Sequence, residues 1–338
     1  MTASRDAGAN AKSAARQKVV CRELGPPENL RLEAFDSRPL AEGEVRVAIR
    51  AAGINFPDIL MAAGEYQLKP ELPFTPGMEA AGDVVEVKDA AGVAVGDRVI
   101  VKLRHGGYAE EVVVAPSQLT PLPSTFDYAE GATFLAAHGT AYHGLIDRGQ
   151  VQPGEVLLVH GAGGGVGLAA VEVGKLLGAT VIAAASSEEK LDIARARGAD
   201  HLVLYSREPF RDAVKRITDG RGADVVYDPV GGQIFEDSIR CIAWGARLLV
   251  IGFTGGIGVA RTNLLLIKGA SVLGVRAGEA VRKNPELGEV RIRTLLQWAE
   301  QGKIRPNISH RLPLEDYARA MQLLVDRKAI GRVALMTR

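Results

Sequence analysis

The feature that most restricts the fold of this chain is a glycine-rich segment that follows an apolar run. Residues 155–160 (EVLLVH) are apolar enough to form a strand buried on both faces. Residues 161–167 (GAGGGVG) follow, and glycines let the backbone take positive φ and approach a ligand closely. Residues 166–177 then carry apolar side chains at helical spacing and stop at Gly178, which favours a helix end. The pattern predicts a strand, a tight turn and a helix.

The free N–H groups at the start of such a helix can bind the pyrophosphate of a dinucleotide. The spacing of Gly161, Gly164 and Gly167 departs from a strict G-x-G-x-x-G. A turn that only connects strand and helix is the alternative, but a second strand after the helix favours the dinucleotide. The predicted cofactor-binding residues of the turn are Gly163, Gly164, Gly165 and Val166.

The rest of the chain shows two patterns. Before residue 141, short runs broken by Gly and Pro predict a mainly β domain, with strands at 18–22, 44–51, 80–87, 97–101 and 109–114. After residue 155, strands alternate with helices, at 156–160, 180–184, 201–204, 224–228, 246–252 and 271–275. This rhythm predicts an α/β domain with a Rossmann-type doubly wound parallel sheet. Helices at 290–301 and 314–325 and a strand at 332–336 remain, and we expect them to rejoin the first domain.

Length and composition define the domains and the classes of partner. A chain of 338 residues exceeds one ordinary core. We predict a disordered extension at 1–16, a substrate domain at 17–141 rejoined by 277–338, and a dinucleotide domain at 142–276. The 41 Lys plus Arg nearly balance the 40 Asp plus Glu, which argues against nucleic-acid and membrane partners. Two cysteines without a paired motif fit a cytoplasmic protein.

The end of the second strand indicates which dinucleotide is bound. An NAD-selective site places Asp or Glu there to bind the ribose 2′-hydroxyl. Residues 183–187 (AAASS) contain no acid, and Ser186 with Glu189 has the spacing of a capping box, which would turn that carboxylate away from the ribose. Ser186 and Lys190 would then face a 2′-phosphate. NADPH is the predicted cofactor.

Several motifs together resemble the zinc-independent quinone oxidoreductase branch of the medium-chain dehydrogenase/reductase superfamily. They lie at residues 53–58 (GINFPD), 73–82 (PFTPGMEAAG), 95–99 (VGDRV), 106–110 (GGYAE), 139–142 (GTAY), 159–167, 228–232 (DPVGG), 309–314 (SHRLPL) and 326–331 (DRKAIG). The resemblance covers residues 18–337. It implies a GroES-like fold for the substrate domain and a homodimer.

Zinc alcohol dehydrogenases of the same superfamily look similar but carry ligands that this chain lacks. Asn55 stands where those enzymes have a cysteine, and Met78 stands where they have a histidine. Neither side chain is a useful zinc ligand. The resemblance therefore implies a reaction without metal, with a quinone or α,β-unsaturated carbonyl that delocalises the arriving charge.

The resemblance also implies further cofactor contacts. Lys190, Tyr205 and Arg327 look like the family's clamp on the 2′-phosphate. Thr140 resembles a residue near the nicotinamide. The remaining implied cofactor-lining positions are Gly231, Gly252, Phe253, Val275 and Arg276.

Asn55 and Tyr66 are the candidate catalytic residues. Their N-x-x-D-x7-Y spacing resembles that of quinone reductases and of enoyl-thioester reductases, in which the tyrosine looks like a proton donor. With a quinone, water can protonate the product and Tyr66 would only orient the substrate. Alternatively, Tyr66 packs in a loop and Asn55 caps a turn, whereas Asp58 is expected to be a helix-start residue. Some relatives have a second tyrosine where Leu60 stands.

These observations predict an NADPH-dependent oxidoreductase that transfers hydride to a quinone or enone. An enoyl-CoA or acryloyl-CoA type reductase is the enzymatic alternative. An NADPH-binding sensor or structural protein with little turnover is the alternative from another class.

Overall fold

The structure is a computed structural model that describes residues 15–338. The predicted extension at residues 1–16 lies outside this range except for its last two residues, and Arg16 already begins a strand. Within the described range, no helix is long and apolar enough to cross a membrane.

The first part of the chain is mainly β. Its elements are β1 (Arg16–Val20), β2 (Arg31–Phe35), β3 (Glu44–Gly53), α1 (Phe56–Ala62), β4 (Glu79–Lys88), β5 (Arg98–Lys102), β6 (Glu111–Val114), β7 (Leu119–Pro121), α2 (Tyr128–Gly131) and α3 (Phe134–Tyr142). Val45, Val47 and Ile49 alternate along β3 and are buried, so this strand lies at the centre of the first core. A π-helical turn, His143–Arg148, continues α3.

The second part is the predicted doubly wound sheet. Its elements are β8 (Val156–Val159), α4 (Gly165–Leu176), β9 (Thr180–Ala185), α5 (Glu188–Ala196), β10 (His201–Leu204), α6 (Phe210–Ile217), β11 (Ala223–Asp228), α7 (Gly232–Ser238), β12 (Ile242–Val250), α8 (Thr262–Lys268) and β13 (Ser271–Gly274). The strands are parallel, in the order β10-β9-β8-β11-β12-β13. Strand order reverses between β8 and β11, which places a ligand crevice at the carboxyl ends of these two strands.

The apolar spacing of α4 explains how that helix docks on the sheet. Leu168, Val171 and Val173 are buried with β8 in one core. Burial of a Val or Leu side chain stabilises a fold by roughly 1.5–3 kcal/mol. The helix that follows the glycine turn is therefore held in place by apolar packing.

The last part of the chain adds two strands to the first sheet. It contains α9 (Ala277–Lys283), α10 (Pro285–Glu300), β14 (Ile308–Pro313), α11 (Tyr317–Val325) and β15 (Arg332–Met336). Strand β15 pairs antiparallel with β3, with Ala334 opposite Gly53, and β14 pairs with β15. Arg332 opens β15 in the first sheet, and Gly331, just before it, forms a bridge to Gly164 in the turn after β8.

Candidate active site

The glycine turn at the end of β8 has the geometry that its sequence predicts. Gly161 takes φ +55° and its carbonyl accepts the N–H of Gly164 at 2.9 Å. A Cβ on Gly167 would lie 2.3 Å from that same carbonyl oxygen, so α4 packs closely against the turn. Helix α4 begins at Gly165, one residue before the predicted start. No protein acceptor is found, within residues 15–338, for the N–H groups of residues 165–167, and these can bind an anion.

The returning end of the chain closes over this turn. Gly331 N–H donates to the carbonyl of Gly163 at 2.8 Å, and Gly164 and Gly331 form a parallel bridge. The side chain of Arg332 crosses Gly165 so closely that a Cβ there would lie 2.3 Å from Cδ of the arginine. The turn is thus fixed by contacts from both parts of the molecule.

Two cations converge at the end of β9. Lys190 Nζ donates to the carbonyl of Arg327 at 2.7 Å and approaches Ser186 Oγ at 3.4 Å. Burial and the charge of Arg327 lower the pKa of Lys190. Arg327 itself takes φ +58° and donates to the carbonyl of Thr254 at 3.1 Å. An anion that bound near both side chains would be stabilised by their charges.

The cap of α5 corrects one prediction. Ser187 is the N-cap residue, and its Oγ accepts the N–H of Lys190 at 3.4 Å. The predicted capping box of Ser186 and Glu189 is therefore wrong, because β9 continues to Ala185 and the helix starts one residue later. Ser186 is left free to lie beside Lys190.

Tyr205 lies near this site, but its hydroxyl contacts two other groups of the protein. The phenol oxygen lies 2.9 Å from Nδ1 of His160 and accepts the N–H of Gly161 at 3.3 Å. Burial is the main cause that raises the pKa of Tyr205. The sequence predicted a contact with phosphate and did not predict these partners.

The loops predicted to line the cofactor follow the carboxyl ends of β11, β12 and β13. Gly231 takes φ +74°, and a Cβ there would lie 2.3 Å from the carbonyl of Gly256 and 3.2 Å from Cα of Phe253. A Cβ on Gly252 would lie 3.2 Å from the carbonyl of Pro229. Thr140, on α3, donates to Ala136 O at 2.7 Å. Val275 and Arg276 come directly after β13.

Asn55 belongs to a buried polar cluster. It is the N-cap residue of α1, its Nδ2 donates to Glu79 Oε1 at 3.3 Å, and its Oδ1 accepts from Arg332 at 2.9 Å. Arg332 also pairs with Glu79 at 2.5 Å, and the second oxygen of Glu79 accepts the N–H of Ala136. All three side chains are buried. Burial raises the pKa of Glu79, and Arg332 opposes this shift.

Sequence reasoning missed Glu79 and Arg332. A signal for each was present, because a charged side chain at the start of a buried apolar strand needs a partner, and Glu79 opens β4 as Arg332 opens β15. Asp58 is a helix-start residue, as expected. It accepts hydrogen bonds from Asn55 N–H and from the hydroxyl of Tyr108, both at 2.9 Å.

Tyr66 lies in the loop after α1, half-buried against the first core. Its N–H donates to Leu60 O at 3.2 Å, and its hydroxyl has no hydrogen-bond partner in the described part of the chain. No hydrogen bond joins it to Asn55 there. Met78 is half-buried against the same core, and residues 15–338 contain no group of three His, Cys, Asp or Glu that could hold a metal.

Comparisons with known proteins agree with this fold. Residues 41–124 match the alcohol dehydrogenase GroES-like domain, and residues 165–294 match the zinc-binding dehydrogenase family. The chain is 39% identical over 325 residues to the quinone oxidoreductase-like protein 2 homolog of Nematostella vectensis, covering 95% of this chain and 88% of that protein.

Two solved structures are also similar. A probable oxidoreductase from Mycobacterium abscessus has a TM-score of 0.87 and 37% identity, covering 96% of this chain and 99% of the other. The Escherichia coli quinone oxidoreductase complexed with NADPH has a TM-score of 0.87 and 29% identity, covering 95% and 99%.

Proposed function

This chain belongs to the quinone oxidoreductase branch of the medium-chain dehydrogenase/reductase superfamily, and we propose that it uses NADPH to reduce a quinone or an α,β-unsaturated carbonyl without zinc. The observation that carries the proposal is the contact of Lys190 Nζ with the Arg327 carbonyl, which brings two cationic residues to the end of the second strand of a dinucleotide fold. That strand end has no acid to bind a ribose 2′-hydroxyl.

We infer that the free N–H groups at the start of α4 would bind the pyrophosphate of NADPH. A Cβ on Gly164 would meet the Gly161 carbonyl oxygen at 3.3 Å, whereas the side chains of Lys190 and Arg332 lie against Gly163 and Gly165. Lys190, Arg327 and Ser186 would hold the 2′-phosphate. Thr140 and the loops that follow β11, β12 and β13 would surround the nicotinamide.

Charge argues against zinc at the position of Asn55. The guanidinium of Arg332 touches both Asn55 Oδ1 and Glu79 Oε1, so the two side chains nearest to a would-be metal already share a cation. A metal ion there would meet a like charge, and neither Asn55 nor Met78 would supply a thiolate or an imidazole. Elemental analysis of the purified protein is expected to show less than about 0.1 zinc per chain. One tightly held zinc per chain would refute this part of the proposal.

The proposed acceptor is one that suits a donor set unfit for zinc. Bound NADPH would supply a hydride from nicotinamide C4. A quinone or enone spreads the arriving negative charge over its conjugated system, so the protein needs only to orient it and exclude water. The Asn55 amide is held in one orientation by Glu79 and Arg332 and can orient a substrate carbonyl. The unpartnered hydroxyl of Tyr66 can donate a proton to an enolate.

We also propose that the protein is cytoplasmic and forms a homodimer through β13. This strand is at the edge of the six-stranded sheet, and Ile257, Val259 and Leu266 nearby are exposed. An open edge with apolar neighbours is suited to pairing with a second copy. Light scattering after size exclusion is expected to give twice the chain mass of 35.8 kDa.

A steady-state screen tests the proposed activity. The purified protein is mixed with NADPH and with panels of quinones, enones and enoyl-CoA thioesters, and NADPH oxidation is followed. Turnover of quinones or enones above that of enoyl-CoA thioesters supports the proposal. Preference for the thioesters would indicate the reductase alternative, and tight NADPH binding with no turnover would indicate a sensor or structural protein.

A further inference from the structure

A buried arginine on α10 joins two elements that border the candidate site. Arg291 donates from Nη1 to the carbonyl of Ala277 at 3.3 Å and from Nη2 to Asp147 Oδ2 at 3.1 Å. Ala277 begins α9, whereas Asp147 lies in the π-helical turn that continues α3. Arg291 is 4% exposed, so both contacts are made away from bulk water. One side chain of the returning segment therefore connects α3 with the start of α9.

Both connected elements lie beside the place that the nicotinamide would occupy. The first turn of α3 contacts the buried polar cluster, because Ala136 N–H donates to the carboxylate of Glu79. Thr140 is one turn further along the same helix. Val275, which directly follows β13, is buried in one apolar core with Ala137 of α3. Helix α3 and the segment that follows β13 are therefore neighbouring walls of the candidate site.

The donors around Asp147 can be assigned. Nδ1 of His143 lies 2.8 Å from Asp147 Oδ2, and a carboxylate oxygen only accepts, so Nδ1 carries the proton. Nη2 of Arg291 lies 3.2 Å from that Nδ1, which cannot then accept, and Nη2 donates to Asp147 instead. The stem of the arginine also contacts α3, since a Cβ on Gly139 would lie 3.9 Å from its Cδ. Asp147 is thus held by one donor from its own turn and by one from α10.

We propose that Arg291 is a positioning residue for hydride transfer, which holds α3 and the start of α9 at a fixed separation on either side of the nicotinamide. The inference rests on the proposed function, because it needs a nicotinamide between these two walls. Loss of Arg291 is expected to change the rate of hydride transfer more than the affinity for NADPH. The groups proposed to bind the phosphates, Lys190 and the N–H groups of α4, belong to other elements.

The first test uses the full chain without cofactor. Hydrogen exchange read by mass spectrometry is expected to be faster in Arg291→Met for residues 134–148 and 275–283, because both segments lose their contact with α10. Residues 161–177 should exchange as in the wild type. Arg293→Met is the matched control, since Arg293 is exposed on the same helix. An Arg291→Met variant whose two segments exchange as in this control would overturn the proposed connection.

The second test separates rate from affinity. With a quinone or enone that the wild type reduces, the single-turnover rate of NADPH oxidation should fall about 10- to 100-fold in Arg291→Met, the effect of a misplacement of roughly 1 Å. The dissociation constant of NADPH should stay within about threefold of the wild type, because its phosphates bind elsewhere. Arg291→Lys should remain at least about threefold slower than the wild type, because one ammonium group cannot replace the fork that reaches both acceptors.

The outcomes separate this inference from the proposed function. An unchanged rate in Arg291→Met, or a loss of NADPH affinity as large as the loss of rate, overturns the positioning role alone. A wild-type protein that binds no NADPH, or reduces none of the acceptors, overturns the proposed function as well. If Arg291→Met does not fold, Asp147→Asn weakens the same contact, and it should slow the reaction by about 3- to 10-fold with NADPH affinity unchanged. A normal rate in that variant would also overturn the inference.

Discussion

Replacing Gly167 with alanine tests whether contact between α4 and the glycine turn sets cofactor affinity. A Cβ at this position would lie 2.3 Å from the Gly161 carbonyl oxygen and 2.9 Å from Cα of Ala162. Both neighbours are backbone atoms, so no side chain can rotate away. Relief of the contact requires α4 to move by roughly 1 Å, at a cost of about 1–3 kcal/mol.

The expected consequences are measurable in two assays. The melting temperature should fall by roughly 2–12 °C, from a shift of about 2–4 °C for each kcal/mol lost. Fluorescence titration should show that the affinities for NADPH and for NADH both fall by up to about 100-fold, because a shift of roughly 1 Å misplaces the N–H groups that would bind the pyrophosphate. The glycine does not discriminate between the two dinucleotides, since it lies away from Lys190.

Gly278→Ala is the matched control. This glycine also lies in a helix, α9, but a Cβ there meets only Arg282 Nη1, at 3.8 Å. The same substitution is expected to be neutral or to stabilise by about 0.5–1 kcal/mol. If Gly167→Ala matched this control in both assays, the close packing of α4 on the turn would not govern binding.

Three further results are expected. Arg327→Gln should weaken NADPH binding by about 10- to 100-fold through loss of a charge-assisted contact, and should change NADH binding by less than about twofold. Equal losses of affinity in a titration with each cofactor would contradict a role in binding the 2′-phosphate. Tyr66→Phe should lower kcat for enones by about 100-fold but for quinones by less than about threefold, and equal effects in steady-state kinetics would remove its role as a proton donor. Burial raises the pKa of Asp58 to about 7 from 3.8, so the folded state holds this proton more tightly and stability should fall as pH rises from about 4 to 7. Asp58→Asn should remove that part of the pH dependence. The free energy of unfolding of both proteins is measured with denaturant at several pH values in this range, and an equal change with pH in the two would refute the assignment.

Local patterns in the sequence predicted most of the second sheet. The predicted strand at 201–204 and the strand at 332–336 have the bounds found in the structure. The predicted start of β12 was four residues late, because the exposed Trp244 and Gly245 interrupt its apolar run. Strand β2 was missed, since its residues are mostly exposed on a two-stranded ribbon and show no apolar alternation.

The candidate site was predictable only where the residues that form it are consecutive in the sequence. The glycine turn is such a segment. The contact of Lys190 with the Arg327 carbonyl and that of Arg332 with Asn55 join positions that only the folded chain brings together. The contacts of His160 with Tyr205 and with Ser238, on α7, likewise join positions that are far apart in the sequence.

The backbone hydrogen bond from Gly331 to Gly163 also sets the order in which parts of the cofactor site can form while the chain is being synthesised. Strands β8 to β13 contain all the pairing that the second sheet needs, so that sheet can form while later residues are still being added. The turn at the end of β8 gains its last backbone partner only when a segment roughly 170 positions downstream has been made and has paired with β3. Binding of the dinucleotide to a growing chain is therefore expected to be weak until that segment leaves the ribosome.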